Sequence, residues 1–168
     1  MRNIILCGFM GSGKTTLAKR LSEKLNMPFL DTDEEISKQE GKSITEIFAE
    51  NGEAYFRTLE TELIKRLSKE EGKIISLGGG LAAKTENHTY LKKAGTVIFI
   101  DCPVDKILYR ILGDSSRPLT KTGKEEIINL YNLRRPLYQK VADITIDSSS
   151  SKSNTLKLAL EALDNIKK

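Results

Sequence analysis

The chain has 168 residues, of which 39% are hydrophobic and 30% are charged. These proportions exclude a disordered or collagen-like chain, and the length favours a single domain spanning residues 1–168. Lysine and arginine exceed aspartate and glutamate by 27 to 23, a mild excess that suits anionic small molecules at least as well as nucleic acid. No apolar run reaches the roughly 18 residues of a membrane-spanning helix, so no membrane partner is expected.

The N-terminal half alternates short apolar runs with stretches of helical periodicity. Residues 2–7 are almost entirely apolar and predict a buried strand, and leucines at helical spacing predict a helix over 14–26. A second strand is predicted at 28–31, followed by an acidic helix at 32–39. A capping box over 43–46 then begins another helix.

Helical pattern resumes after Gly52 and runs to about Glu70. An apolar strand at 73–77 follows and ends in three glycines. A short helix is predicted over 86–94 and a further apolar strand over 96–100.

Pro103 begins the next helix at the first-turn position that proline favours. Residues 113–123 are polar and basic without apolar periodicity, which predicts a loop. A helix is then expected over 124–142, broken at Pro136 because proline removes a main-chain donor. A fifth strand over 143–147, a serine-rich link and a terminal helix complete the chain.

Five apolar strands that alternate with helices indicate an α/β fold. Strands that are apolar on both faces are typical of a parallel sheet covered by helices on each side. The sequence therefore predicts a three-layer α/β/α domain. The crevice beyond the carboxyl ends of its strands is where ligands bind in such sheets.

The segment GFMGSGKT at residues 8–15 matches the G-x-x-x-x-G-K-[ST] pattern of a phosphate-binding loop. It follows a predicted strand and begins a helix, which is the required context, and its glycines let backbone N–H groups turn toward a phosphate. ATP is the expected nucleotide. The residues of this segment expected to bind it are Gly11, Ser12, Gly13, Lys14, Thr15 and Thr16.

A magnesium ion normally accompanies a bound triphosphate, and two oxygens are candidates to hold it. The hydroxyl of Thr15 is the usual ligand within the loop motif. Asp31 ends the second strand and is the expected carboxylate ligand, which would bind the ion directly or through a water molecule. The Asp-Thr-Asp triplet at 31–33 is equally able to cap the helix that follows it, so its role stays open on these residues alone.

Three further patterns concern the group that accepts the phosphate. Arg57 and Glu60 share a helix face, either as a simple salt bridge or as part of a site. Arg134 precedes the predicted helix break and is free to point at a ligand. The glycines at 78–80 end a strand and allow a ligand to lie on the backbone.

Taken in order, the motifs resemble those of the shikimate kinases over nearly the whole chain. The matching segments are GFMGSGKTT, DTD, FRxxE, the glycine run, RPL, and RxPLY followed by AD. The resemblance implies a P-loop kinase fold of the nucleoside monophosphate kinase type with strand order 2-3-1-4-5. Residues 113–123 would form a lid and residues 32–60 the acceptor-binding region.

The resemblance also implies the reaction, which is ATP-dependent phosphorylation of the 3-hydroxyl of shikimate on the route to chorismate and the aromatic amino acids. At matching positions Asp33 would bind the hydroxyls of shikimate, and Arg57 and Arg134 would hold its carboxylate. Gly79 and Gly80 would add backbone contacts. Whether Asp33 is a general base or only positions the acceptor stays open.

The resemblance implies further roles at the nucleotide. Arg117 would reach the ATP phosphates from the lid and act in catalysis with Lys14 and Asp33. Arg110 would lie near the nucleotide, and the serine-rich turn would lie beside the adenine.

These residues leave two other interpretations of the function open. One is a different small-molecule P-loop kinase, acting on gluconate or a nucleotide, and the other is a non-catalytic nucleotide-binding module. A kinase that phosphorylates a nucleotide would be expected to have more arginines in its acceptor site. A module that has lost catalysis would be expected to lack the motif lysine, an aspartate or the arginines, and all of these are present. A monomer is expected, and no aromatic–basic platform suggests nucleic acid. Cys7 and Cys102 do not form a Cys-x-x-Cys motif, so they are expected to be inert thiols in a cytoplasmic protein.

Overall fold

The computed structural model describes residues 1–113 and 123–166. Within them, five strands form one parallel sheet in the order β2-β3-β1-β4-β5, which confirms the expected strand order. The strands are β1 (Asn3–Cys7), β2 (Phe29–Asp31), β3 (Ile74–Ser76), β4 (Gly95–Asp101) and β5 (Ile144–Asp147).

Eight α-helices lie on the two faces of this sheet in the described part of the chain. They are α1 (Lys14–Leu25), α2 (Thr32–Glu40), α3 (Ile44–Asn51), α4 (Glu53–Leu67), α5 (His88–Ala94), α6 (Val104–Leu112), α7 (Gly123–Val141) and α8 (Lys152–Ile166). A 3₁₀ turn at Thr85–Asn87 leads into α5. The capping box that begins α3 is formed as the sequence predicts, with Ser43 and Glu46 bonded reciprocally.

The central strand β1 shows how the sheet divides the core. Its residues alternate between the two faces, so Ile5 and Cys7 join the apolar cluster beneath α2 to α7. Ile4 and Leu6 join the second cluster, which α1 and α8 cover. Because both faces are buried, every residue of β1 is apolar except Asn3.

The predicted break at Pro136 is wrong, since α7 continues through this residue to Val141. Proline in a helix interior removes one main-chain hydrogen bond. Buried residues lie on both sides of it, with Ile127 before and Tyr138 and Val141 after. Packing of both halves against the core offsets the lost bond, so α7 remains one element.

The carboxyl ends of all five parallel strands lie along one edge of the sheet. The residues that end them are Cys7, Asp31, Ser76, Asp101 and Asp147. The loops that follow therefore meet in one crevice, as expected for this type of sheet. Among the helices that the structure describes, none is both long and apolar enough to cross a membrane.

The opposite edge of the sheet is held by the side chain of Asn3, which is fully buried. Its Nδ2 donates to the carbonyl oxygens of Glu70 at 2.7 Å and Ala94 at 3.0 Å. Its Oδ1 accepts from the backbone N–H of Lys73 at 2.9 Å. One amide thus satisfies main-chain groups from three segments, which explains the polar residue in an otherwise apolar strand.

Replacement of Asn3 should therefore cost stability without affecting the site at the far edge. Asn3→Ala removes the partner of one buried and two partly buried main-chain groups, and we expect the free energy of unfolding to fall by about 3 kcal/mol. Urea denaturation of this variant and of Arg2→Ala, an exposed neighbour, measures the difference. Equal stability of the two variants would contradict this role for Asn3.

Candidate active site

The loop between β1 and α1 has the backbone geometry of an anion cradle. Gly8, Gly11 and Gly13 have φ values of 150°, 75° and 95°, a region that residues with a side chain rarely adopt. Gly13 also precedes the first turn of α1, where no side chain caps the free N–H groups. These donors, together with the positive end of the helix, are left available for a phosphate.

Lys14 points back into this loop, and its Nζ donates to the carbonyl oxygen of Phe9 at 2.9 Å. The side chain is buried, with 8% of its surface exposed. Burial lowers its pKa from 10.5 to about 8, and the charge of Arg134 acts in the same direction, while Asp33 and Asp31 oppose the shift. Bound phosphates would supply the negative charge that favours the protonated amine.

Three side-chain oxygens converge beside the loop. The Thr15 hydroxyl donates to Asp31 Oδ2 at 3.3 Å and lies 3.3 Å from the Ser76 hydroxyl. Hydroxyl and carboxylate oxygens are the ligands that Mg²⁺ prefers. No cluster of three or more acidic, histidine or cysteine side chains suited to a metal occurs in the described residues. The group therefore fits an ion that takes most of its ligands from phosphate and water.

Asp31 uses its two carboxylate oxygens for different contacts. Its Oδ1 accepts from the backbone N–H groups of Asp33 at 3.0 Å and Glu34 at 3.3 Å, so it caps α2. Its Oδ2 is the oxygen that accepts from Thr15. The cap fixes the carboxylate in place and leaves Oδ2 directed at the Thr15 hydroxyl.

Each glycine of the run at 78–80 lies against one of the charged side chains predicted to bind the acceptor. A Cβ atom on Gly78 would overlap the carboxylate of Asp33, and one on Gly80 would overlap the guanidinium of Arg57. A Cβ atom on Gly79 would lie 3.5 Å from Arg134 Nη1. The run therefore makes room for the protein's own charged groups as well as for a ligand.

Asp33 is the acidic member of this group. Its Oδ1 is enclosed and has no hydrogen-bond partner among the described residues. Burial raises its pKa, and the nearby carboxylate of Asp31 adds to the rise, while the charges of Lys14 and Arg57 oppose it. An enclosed carboxylate oxygen without a donor is costly, and a ligand hydroxyl would supply the missing hydrogen bond.

Arg57 is held in position by two carboxylates on its own helix. Its Nη1 donates to Glu60 Oε2 at 2.7 Å, and its Nη2 donates to Glu53 Oε1 at 3.1 Å. Glu60 is 1% exposed, and burial raises its pKa to about 7 although the pairing with Arg57 opposes the rise. The salt bridge expected from the sequence is thus real, and it also fixes Arg57 against Gly80.

Arg134 approaches the same glycines from α7. Four residues later on this helix, the Tyr138 hydroxyl donates to the carbonyl oxygen of Gly79. Tyr138 is buried against Phe99, with ring centroids 5.5 Å apart, and burial raises its pKa to about 12. The tyrosine therefore anchors the helix that carries Arg134 to the glycine run.

A cavity of about 330 Å³ continues from the phosphate-binding loop toward α8. Arg110 lines it and donates from Nη1 to the carbonyl oxygen of Gly11 at 2.7 Å. The serine-rich turn contributes Ser148 and Ser150, and Ser148 is tied to Asp101, whose carbonyl accepts from the Ser148 N–H at 3.0 Å. Arg110 and the serine turn thus lie beside the phosphate-binding loop, and their roles at a nucleotide stay predictions.

The structure brings together the predicted residues that it describes. Arg117 and residues 114–122 of the predicted lid lie outside the described residues. Two features were missed because no local pattern signals them. One is Arg20, which lines the cavity, and the other is the bidentate pair of Arg135 with Asp101, with N···O distances of 3.0 and 2.6 Å.

Comparison with known proteins gives one consistent result. The sequence model of the shikimate kinase family matches residues 10–167. The shikimate kinase of Persephonella marina is 48% identical over 148 residues, covering 88% of this chain and 90% of the relative. That of Aquifex aeolicus is 46% identical over 161 residues, covering 96% and 95%. A shikimate kinase structure from Acinetobacter baumannii in complex with shikimate superimposes with a TM-score of 0.88 at 36% identity, covering 99% and 93%.

The lowered pKa of Lys14 predicts how triphosphate binding depends on pH. Below about pH 8 the free protein already carries the charged amine, so affinity is at its full value. Above that pH the amine must gain a proton on binding, and affinity should fall by about tenfold per pH unit. Calorimetric titration with ATP between pH 7 and 10 measures this slope. Constant affinity from pH 8 to 10 would contradict the assignment.

Proposed function

The chain belongs to the shikimate kinase family, and we propose that its site transfers the terminal phosphate of ATP to the 3-hydroxyl of shikimate. The observation that carries this proposal is the position of Asp33, Arg134 and Arg57 against three consecutive glycines. This arrangement adjoins the phosphate-binding loop. It supplies two cations for a carboxylate and an anion for hydroxyls within reach of a bound triphosphate, which is the chemistry of a hydroxylated ring acid.

The acceptor would be held by opposite charges on its two sides. The guanidinium groups of Arg57 and Arg134 donate to the carboxylate of shikimate, a geometry that lysine cannot reproduce. Asp33 accepts from the ring hydroxyls, which satisfies its enclosed Oδ1. Gly79 lies against Arg134 and Gly80 against Arg57, so their backbone groups would add contacts to the same acceptor.

Phosphoryl transfer depends mainly on positioning and on neutralising charge. The N–H groups of Gly11–Thr16 hold the phosphates, and Lys14 places its charge at the transferred group. Burial raises the pKa of Asp33, which makes it a better acceptor for the proton of the attacking hydroxyl than an exposed aspartate. We also propose that the positive charge of Arg117 stabilises the ATP phosphates.

The oxygens of Thr15 and Asp31 fit a magnesium ion, and we propose that they hold it when ATP is bound. The Thr15 hydroxyl and Asp31 Oδ2 are 3.3 Å apart, and the second oxygen of Asp31 is fixed by the cap of α2. When bound, Mg²⁺ supplies neutralising charge at the β- and γ-phosphates. Asp31 then acts by keeping its free oxygen aimed at that position.

We further propose that the whole chain acts as one domain, as a monomer in the cytoplasm, without a nucleic-acid partner. β1 and β5 belong to the same sheet and α8 packs beside α1, so both ends of the chain contribute to one core. Cys7 and Cys102 are buried free thiols, which suits a reducing compartment. The small net charge of +4 gives little attraction for a polyanion.

The role of Arg134 is tested against its neighbour on α7. Arg134→Ala removes a charge-assisted hydrogen bond to the substrate carboxylate, so the KM for shikimate should rise about ten- to a hundredfold. Arg135→Ala removes an equal charge that instead pairs with Asp101 and should change this KM by less than about threefold. Steady-state kinetics at saturating ATP measures both. An unchanged KM in the first variant would place the carboxylate elsewhere.

The role of Asp33 is tested by removing its charge while keeping its shape. Asp33→Asn should lower kcat by about a hundredfold or more, while the affinity for ATP stays within a few-fold. Glu34→Gln is the matched control, because Glu34 is exposed on the same helix. Turnover by Asp33→Asn equal to that of the control would reject the proposed role.

A further inference from the structure

One charged group in the cavity beside the phosphate-binding loop has no part in the mechanism described above. Arg20 lies on α1 and lines this cavity of about 330 Å³. Its Nη1 is fully enclosed and has no hydrogen-bond partner among the described residues. An enclosed guanidinium nitrogen without an acceptor is costly, and a ligand that brings an acceptor would relieve this cost.

The charges that line the cavity are all of one sign. Its basic residues are Lys14, Arg20, Arg110 and Lys152, and no carboxylate is found among its lining residues in the described chain. Lys14 and Arg110 each have a defined partner in the loop, at Phe9 and Gly11. Among the described residues, Arg20 Nη1 has no such partner, although Arg20 shares the cavity with them. A ligand in this cavity would supply the missing acceptor.

The position of Arg20 indicates which part of a nucleotide it faces. It follows Lys14 by six residues, so its Cα lies about 9 Å further along α1. Thr155, Ser148 and Ser150, from α8 and the serine-rich turn, line the same cavity. The phosphate-binding N–H groups lie at the N-terminal end of α1, before the level of Arg20. A triphosphate held by those groups directs its nucleoside toward Arg20.

We propose that Arg20 recognises the nucleoside half of the nucleotide by donating to an oxygen of the ribose or to a ring nitrogen of the base. This inference rests on the proposed function, in which the cavity holds ATP. Arg20 would then strengthen the binding of a nucleotide but not the binding of a triphosphate that carries no nucleoside. Selection of a nucleotide over other polyphosphates would then depend on this residue.

The test compares Arg20→Met with Lys19→Met. Both variants remove one positive charge from adjacent positions on α1, but Lys19 is exposed and lies over the ring of Phe29. Calorimetry measures the affinity of each variant for tripolyphosphate, ribose 5′-triphosphate and ATP. We expect Arg20→Met to bind tripolyphosphate as the control does and to bind ATP about ten- to a hundredfold more weakly.

The three ligands also identify the acceptor. If Arg20→Met binds both ribose 5′-triphosphate and ATP more weakly, the acceptor lies on the ribose. If only the affinity for ATP falls, the acceptor lies on the base. An equal loss for all three ligands would overturn the inference, because Arg20 would then act only on the phosphates. No loss for any ligand would overturn it as well. Turnover of shikimate by the unmodified protein tests the proposed function separately, and retained tripolyphosphate binding shows that the variant is folded.

Discussion

Burying opposite charges together is the constraint on which this site depends. Lys14 and Glu60 are buried and Asp33 and Arg57 are half-buried at the carboxyl edge of the sheet, and each shifts the pKa of at least one of the others. A single buried charge would be costly, and mutual pairing makes the group tolerable. The balance is incomplete, because Asp33 and Glu60 each keep one oxygen without a donor from residues 1–113 or 123–166. A charged, hydroxylated substrate and a triphosphate complete it.

The glycine run shows how backbone geometry serves these charges. Gly78 and Gly80 do not have the positive φ values that often explain glycine. They are required because the carboxylate of Asp33 and the guanidinium of Arg57 occupy the space where a Cβ atom would lie. The charged groups can therefore approach the end of β3 closely, and Tyr138 fixes α7 to the same backbone.

Local patterns were sufficient to predict the phosphate-binding loop, because its residues are consecutive and their backbone geometry is set by glycine. They also located Asp33 and Arg57, but the order of the strands and the roles of these residues came from resemblance. Features made by distant contacts could not be predicted. Packing on both sides of Pro136 keeps α7 continuous, and Arg20 lines one cavity with Thr155 of α8, which lies more than a hundred residues away in the chain.

In the proposed site, two arginines hold the acceptor by its carboxylate. Steady-state kinetics with shikimate and with its methyl ester tests this most directly, because the two compounds share every ring hydroxyl and differ in charge. We expect a KM for the ester about tenfold or more above that for shikimate, since a charge-assisted pair is lost. Equal KM values for the two compounds would contradict it.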